Sequence, residues 1–219
     1  MATFQNKYRE HDPVWHVQIT MLAAIVLQLL LPDRYVLGSR LTLIAMELVL
    51  LIALSFTTPK ERIFRSLSRR INVFLLIALT GLANLYSLGS VAHRLLSSGH
   101  INNGRNLILA AVNIYLTNII IFGLWYWEMD GSGPGRRMEA KRHELDFMFT
   151  QNQFESYSHP RWRPTFIDYL YLSSTNAMAF SPSDTVPLSR RAKLLMLAQA
   201  TISLVAIALV AARAVNILS

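Results

Sequence analysis

Along the chain the apolar positions gather into long blocks instead of recurring every second position, or every three to four, as they do on half-buried strands and surface helices. Crossing ~30 Å of hydrocarbon at ~1.5 Å per residue takes roughly 17–25 largely apolar residues. Five blocks reach or approach that length, at 14–31, 41–56, 71–91, 107–127 and 194–218. The first stops at Pro32-Asp33, the second shortly before Pro59, and the fourth closes on Trp125-Tyr126-Trp127, an aromatic belt of the kind found at a membrane interface. The pattern predicts an all-α integral membrane protein with five transmembrane helices.

Composition agrees: 53% of the 219 residues are hydrophobic and 16% charged. The first block follows Lys7, Arg9, Glu10, His11 and Asp12, and no small-residue cleavage site comes after it, so the reading is a membrane anchor and not a cleaved signal. There is no cysteine, which excludes disulfides and thiolate metal ligands. The net charge of +8 is carried by residues flanking the blocks. That placement suits anionic lipid head groups and argues against nucleic acid.

Two connections stand out. PKERIFRSLSRR (59–70) sets Ile63, Phe64 and Leu67 on one helical face and Arg62, Arg65 and Arg69 elsewhere. This is either a basic amphipathic helix in the head-group plane or a charged loop. The 128–164 segment opens with a Gly/Ser/Pro reversal. Its later aromatics, Phe147, Phe149, Phe154, Tyr157 and Trp162, could pack on the bundle. His143, Glu144 and Asp146 have metal-ligating chemistry but no second ligand pair at helical spacing, so they read as a surface helix. No paired carboxylates, Ser/His/Asp set or Gly-rich phosphate loop is present. The sequence therefore suggests no enzyme, catalytic residue, metal site or cofactor.

The segment TFIDYLYLSSTNAMAF (165–180) is too short and too polar for a lipid-facing crossing, because unpartnered polar groups are costly in hydrocarbon. It predicts a re-entrant helix sheltered by protein, turning back through Ser181-Pro182-Ser183-Asp184 toward Arg190, Arg191 and Lys193. Asp168 and Asn176, about two turns apart, are candidates for packing against a neighbouring subunit.

In order, Trp162 to Tyr171, the turn, Asp184-Thr185-Val186-Pro187 and the long helix from Arg190 resemble the pore module of the potassium-channel superfamily: outer span, pore helix, filter, Asp-x-x-Pro exit, inner helix. The resemblance covers residues 105–219 and divides the chain into an N-terminal three-span region (1–104) and a channel-like module (105–219). The whole also looks like bacterial multi-span proteins of unknown function, which implies a bacterial inner membrane. It implies a homotetramer, since one module supplies a quarter of such a pore, and a pore lined by Thr175, Asn176, Ala179, Phe180, Ser181, Pro182, Ser183, Asp184 and Thr185.

The filter departs from the family. The positions of Thr-Val-Gly-Tyr-Gly hold Ala179-Phe180-Ser181-Pro182-Ser183, without the glycines that give carbonyl-lined filters their positive φ. Potassium selectivity is therefore not expected. The hydroxyls of Ser181, Ser183 and Thr185 with the Asp184 carboxylate would make a wider path for monovalent cations. Alternatively, Ser183 or Asp184 caps the last helix or its turn.

Other polar residues sit inside the blocks. Glu47 is expensive at such depth unless paired, protonated or wet, with Asn84, Asn113 and Asn118 as candidate partners. Gln28 and Gln199 read as interhelical glue, and Arg213 as a snorkelling end. Ala198, Ala200, Ser203, Ala206, Ala208, Ala211 and Ala212 let helices approach closely, between subunits or within one.

With five spans, one side collects sixteen Lys and Arg and the other five. The charge rule puts the turn of the pore segment in the cytoplasm, whereas channel pore helices enter from outside. The sequence predicts an oligomeric, cation-permeable pore. A non-conducting structural or regulatory protein keeping the pore fold is the alternative, and a transporter finds no inverted repeat to support it.

Overall fold

The computed structural model describes residues 15–57, 67–97, 104–137, 140–141, 144–153, 162–179 and 184–218. Each apolar block folds as a helix: α1 (Trp15–Leu30), α2 (Arg40–Thr57), α3 (Leu67–Ser97), α4 (Gly104–Met129) and α8 (Arg190–Leu218). Between α4 and α8 lie the one-turn α5 (Pro134–Arg137), strand β1 (Phe147–Phe149), the one-turn α6 (Thr150–Gln153), α7 (Phe166–Ala179) and strand β2 (Thr185–Pro187). Three helices, over Arg69–Leu95, Asn106–Ser132 and Arg190–Ala212, are long and apolar enough to cross a membrane. Gln18–Leu30 forms a shorter apolar helix.

Helix α4 is the axis of the bundle and touches α1, α3, α7 and α8. Its neighbours α3 and α8 run antiparallel to it. Arg69 meets Glu128 while Asn84 meets Ile114, and Gln199 meets Tyr126 while Ser203 meets Asn118. Two apolar cores follow. One, rich in aromatic rings, surrounds the C-terminal end of α4 with Tyr126, Trp127, Phe147, Phe149, Phe166 and Tyr169. The other gathers Leu31, Tyr35, Leu88, Val91, Leu107 and Ile114 near its N-terminal end.

The bundle is apolar outside, and inside it holds buried polar groups beside the two apolar cores. Leu30, Leu41 and Leu194 are 70%, 78% and 67% exposed, while Glu47, Gln199 and Ser203 are fully buried. An aqueous surface rarely carries so much contiguous apolar area, whereas buried amides and hydroxyls are the interhelical contacts expected in lipid.

Two sequence expectations change. Leu67 to Arg70 form the first turn of α3, and Arg69 is buried, not turned to head groups; 59–66 lie outside the described residues. The 143–149 region carries a strand in place of a surface helix, since β1 pairs antiparallel with β2 in the register Phe147↔Pro187, Met148↔Val186, Phe149↔Thr185. His143 lies outside the described residues, Glu144 is exposed, and Asp146 is buried. Of the aromatics that follow, Phe147, Phe149 and Trp162 pack on the α4 core.

Candidate functional site: the α4–α7–α8 module

Helix α7 is held at its start by Asp168, which supplies one half of a capping box. The Thr165 amide and hydroxyl both donate to Asp168 Oδ2, at 2.7 and 2.9 Å, satisfying donors that a helix N-terminus otherwise leaves free. Asp168 is thereby occupied within its own chain. The 14-residue helix then lies against α4 at Gly123. A Cβ there would sit 3.2 Å from Leu170 Cα and 3.6 Å from Ser173 Cβ, so the absence of a side chain sets the approach of the two backbones.

Deeper in the module an amide network joins three helices. Gln199 on α8 donates through Nε2 to the Ser173 carbonyl and hydroxyl, at 2.9 and 2.6 Å. Its Oε1 accepts from Tyr126 on α4 and from Asn176 on α7, at 2.5 and 2.9 Å. Asn176 also donates to the Met196 carbonyl, the Ser173 hydroxyl to the Ile119 carbonyl, and Asn118 to Ser203. Gln199 is the interhelical bridge its position suggested. Asn176 faces its own chain's helices.

The C-terminal end of α4 carries the densest charge among the described residues. After Met129 the chain reverses through Gly131, Ser132 and Gly133, all at positive φ (56°, 66° and 99°). This returns Arg137 onto the end of the helix it has just left. Its guanidinium donates to the carbonyls of Trp127, Asp130 and Pro164 and lies 4.6 Å from the centre of the Tyr169 ring. A cation there satisfies α4's terminal carbonyls and opposes the negative end of its dipole.

Asp130 is the hub. Its Oδ1 accepts from the amides of Asp146 and Phe147, at 2.6 and 3.3 Å, and its Oδ2 accepts from the Tyr169 hydroxyl at 2.5 Å. Burial raises the Tyr169 phenol well above its ordinary range, so it stays the donor. Asp146 passes the connection on to α8, receiving Arg191 through two bonds of 2.6 Å. On the other flank Arg69 of α3 grips Glu128 at 3.1 and 3.3 Å, with both side chains buried. Sequence reading missed Asp130, Arg137 and Tyr169. For Asp130 and Arg137 the one signal was DGSGPGRR (130–137), an acid opening a tight reversal that delivers arginine back to a helix end.

The remaining predicted pore residues are placed as follows. Thr175, half-buried, donates to the carbonyls of Tyr171 and Leu172. Ala179 is exposed at the end of α7. Phe180, Ser181, Pro182 and Ser183 lie outside the described residues. Asp184 is half-buried; its carbonyl accepts the amide and hydroxyl of Thr150, and its Oδ1 accepts from the buried Thr185 at 3.4 Å. The cap of α8 is Ser189, whose hydroxyl accepts the Ala192 amide at 3.1 Å, and not Asp184.

Glu47 sits apart, on α2. Its Oε1 accepts from Gln28 Nε2 at 3.0 Å, where sequence reading had named Asn84, Asn113 and Asn118. Asn113 instead donates to the Leu27 carbonyl and Asn84 to that of Ile114.

Among the described residues no group of three or more His, Cys, Asp or Glu is placed to hold a metal ion. The fold defines a mostly helical chain with three helices able to cross a bilayer. No protein-family model, curated protein or solved structure matches it.

Proposed function

We propose that the chain is an integral membrane protein in which α1, α2, α3, α4 and α8 cross the bilayer, and that copies of it assemble, as a tetramer by analogy with the pore module, around a cation-permeable path without strong potassium selectivity. One observation carries the reading: both ends of the α7 segment are tied to the same end of the bundle. At its start, Arg137 donates to the Pro164 carbonyl and Trp127 packs edge-on to Phe166, 6.0 Å between centroids. At its finish, β2 pairs with β1, whose Asp146 binds Arg191 at the start of α8. A helix of about 21 Å held this way dips into the bilayer and returns, with α4 and α8 as outer and inner helices.

In this arrangement Asp184 supplies the charge of the path. The protein in planar bilayers then gives unitary currents that fall for cations when Asp184→Asn is made. Silent bilayers across lipid, voltage and pH, with a correctly folded protein, rule the pore out.

A second reading has its own support. The buried polar groups of α7 are spent on α4 and α8, which suits a non-conducting structural or regulatory membrane protein built on the same fold. Silent bilayers together with an intact oligomer would select it.

A further inference from the structure

A second polar site lies in the other half of the molecule, between α1, α2, α3 and α4. Glu47 is fully buried, and its Oε2 makes no hydrogen bond. The side chains at its carboxyl are Gln28 from α1 and Thr80 from α3, both neutral. Among the described residues no ionisable group faces it from α1 or α3, and the pairs Arg69–Glu128, Arg137–Asp130 and Arg191–Asp146 lie around the far end of α4. A carboxylate without a counter-charge in such a place costs far more than the neutral acid.

The surroundings are rich in acceptors and poor in donors. Gln28 Oε1 and Asn113 Oδ1 are buried with no partner. Rotating either amide does not help: it would turn Gln28 Oε1 onto Glu47 Oε1, or Asn113 Oδ1 onto the Leu27 carbonyl. The nearby hydroxyl protons of Thr80 and Ser87 are already given to the carbonyls of Leu76 and Ala83. What the site lacks is hydrogen.

Beside Gln28 there is also space. A cavity with room for about one water is lined by Gln28, Asn84 and Ser87 and by Val36, Leu37 and Leu43. Val36 and Leu37 belong to the connection between α1 and α2, and Leu43 is one turn before Glu47. The cavity therefore lies between the carboxyl and that connection, at the opposite end of the bundle from α7.

We infer that Glu47 is a proton-binding site: the carboxyl carries a proton on Oε2, and a water in the cavity links it, through Gln28, to the face that carries the α1–α2 connection. The inference stands whether or not α7 lines a pore.

Infrared spectroscopy of the full-length protein in lipid tests it. At neutral pH the spectrum contains the C=O stretch of a buried protonated acid, and Glu47→Gln abolishes that band while leaving the melting temperature unchanged or higher. Sodium and potassium leave both readings unmoved. A carboxylate band at Glu47 instead, or a melting temperature that rises with either cation in wild type but not in Glu47→Gln, would overturn the proposal in favour of a metal-cation site. A Glu47→Gln protein that melts lower would show that the negative charge itself is required, and overturns it equally. Glu47→Asp keeps the acid and retains a shifted band, even if that variant is less stable.

Discussion

Arg69 and Glu128, 59 residues apart in sequence, bind each other through two hydrogen bonds with both side chains out of reach of solvent. Arg69 also lies 5.6 Å from the centre of the Trp127 ring. The pair fixes the height of α3 against the end of α4. Buried ion pairs add little net stability over a well-packed apolar pair, but removing one partner strands the other charge at about 3–5 kcal/mol. Arg69→Ala should therefore lower thermal stability in detergent sharply, and Arg69→Met with Glu128→Leu should recover most of it. Equal damage from single and double variants would mean the charges do not act as a pair.

Among the described glycines inside the long helices, close backbone approach makes Gly123 the sensitive one. Gly123→Val adds atoms where Leu170 already stands at 3.2 Å and should destabilise by about 1–3 kcal/mol, as overpacked sites do. Gly81→Ala is the control, because its Cβ would find only Ile121 at an ordinary 3.7 Å. Thermal melts of the two variants should separate clearly, with Gly81→Ala close to wild type.

At Asp130, Asp130→Ala removes the acceptor of two amides and of the Tyr169 phenol, a loss of about 3 kcal/mol or more given charged acceptors. Tyr169→Phe removes only one of those bonds and should cost about 1–2 kcal/mol. Limited proteolysis between α4 and α7 would report the loosening, faster in Asp130→Ala than in Tyr169→Phe. Identical cleavage rates in all three proteins would remove Asp130 from its central place.

The amide network should be weaker than its bond count suggests, since interhelical hydrogen bonds in bilayers average only ~0.6 kcal/mol each. Gln199→Leu breaks four bonds around Ser173, Tyr126 and Asn176 and should cost about 2 kcal/mol. Asn118→Ala, which loses its bond to Ser203 at 2.9 Å, should cost a fraction of that. Chemical denaturation in mixed micelles distinguishes the two.

The helices were legible because their signal is local: each apolar block in the sequence became one helix, and the capped, polar 165–180 stretch became α7. Partners were not, because they are set by tertiary geometry. Nothing in 59–70 distinguishes Arg69 from Arg65 or Arg62, yet Arg69 is paired inside the bundle because α3 begins at Leu67. Glu47 was visible as an expensive residue, but its partner depended on how α1 lies on α2, and Gln28 was read only as glue. The ladder between β1 and β2 joins segments 36 to 40 positions apart in register, from Phe149 with Thr185 to Phe147 with Pro187, and neither triplet looks like a strand on its own. Asp130 and Arg137 were hidden for a related reason: three successive positive-φ residues fold the chain back on itself, and only that reversal brings them together.

The ribosome delivers the charges at the end of α4 in a fixed order. When Glu128 emerges, its cation has already been made, on α3. Asp130 must wait, first for Arg137 a few positions later and then for Tyr169, while Asp146, which it holds by the backbone, waits for Arg191. One flank of that helix end can thus be fastened early in synthesis, and the other closes only after Arg191 has left the tunnel.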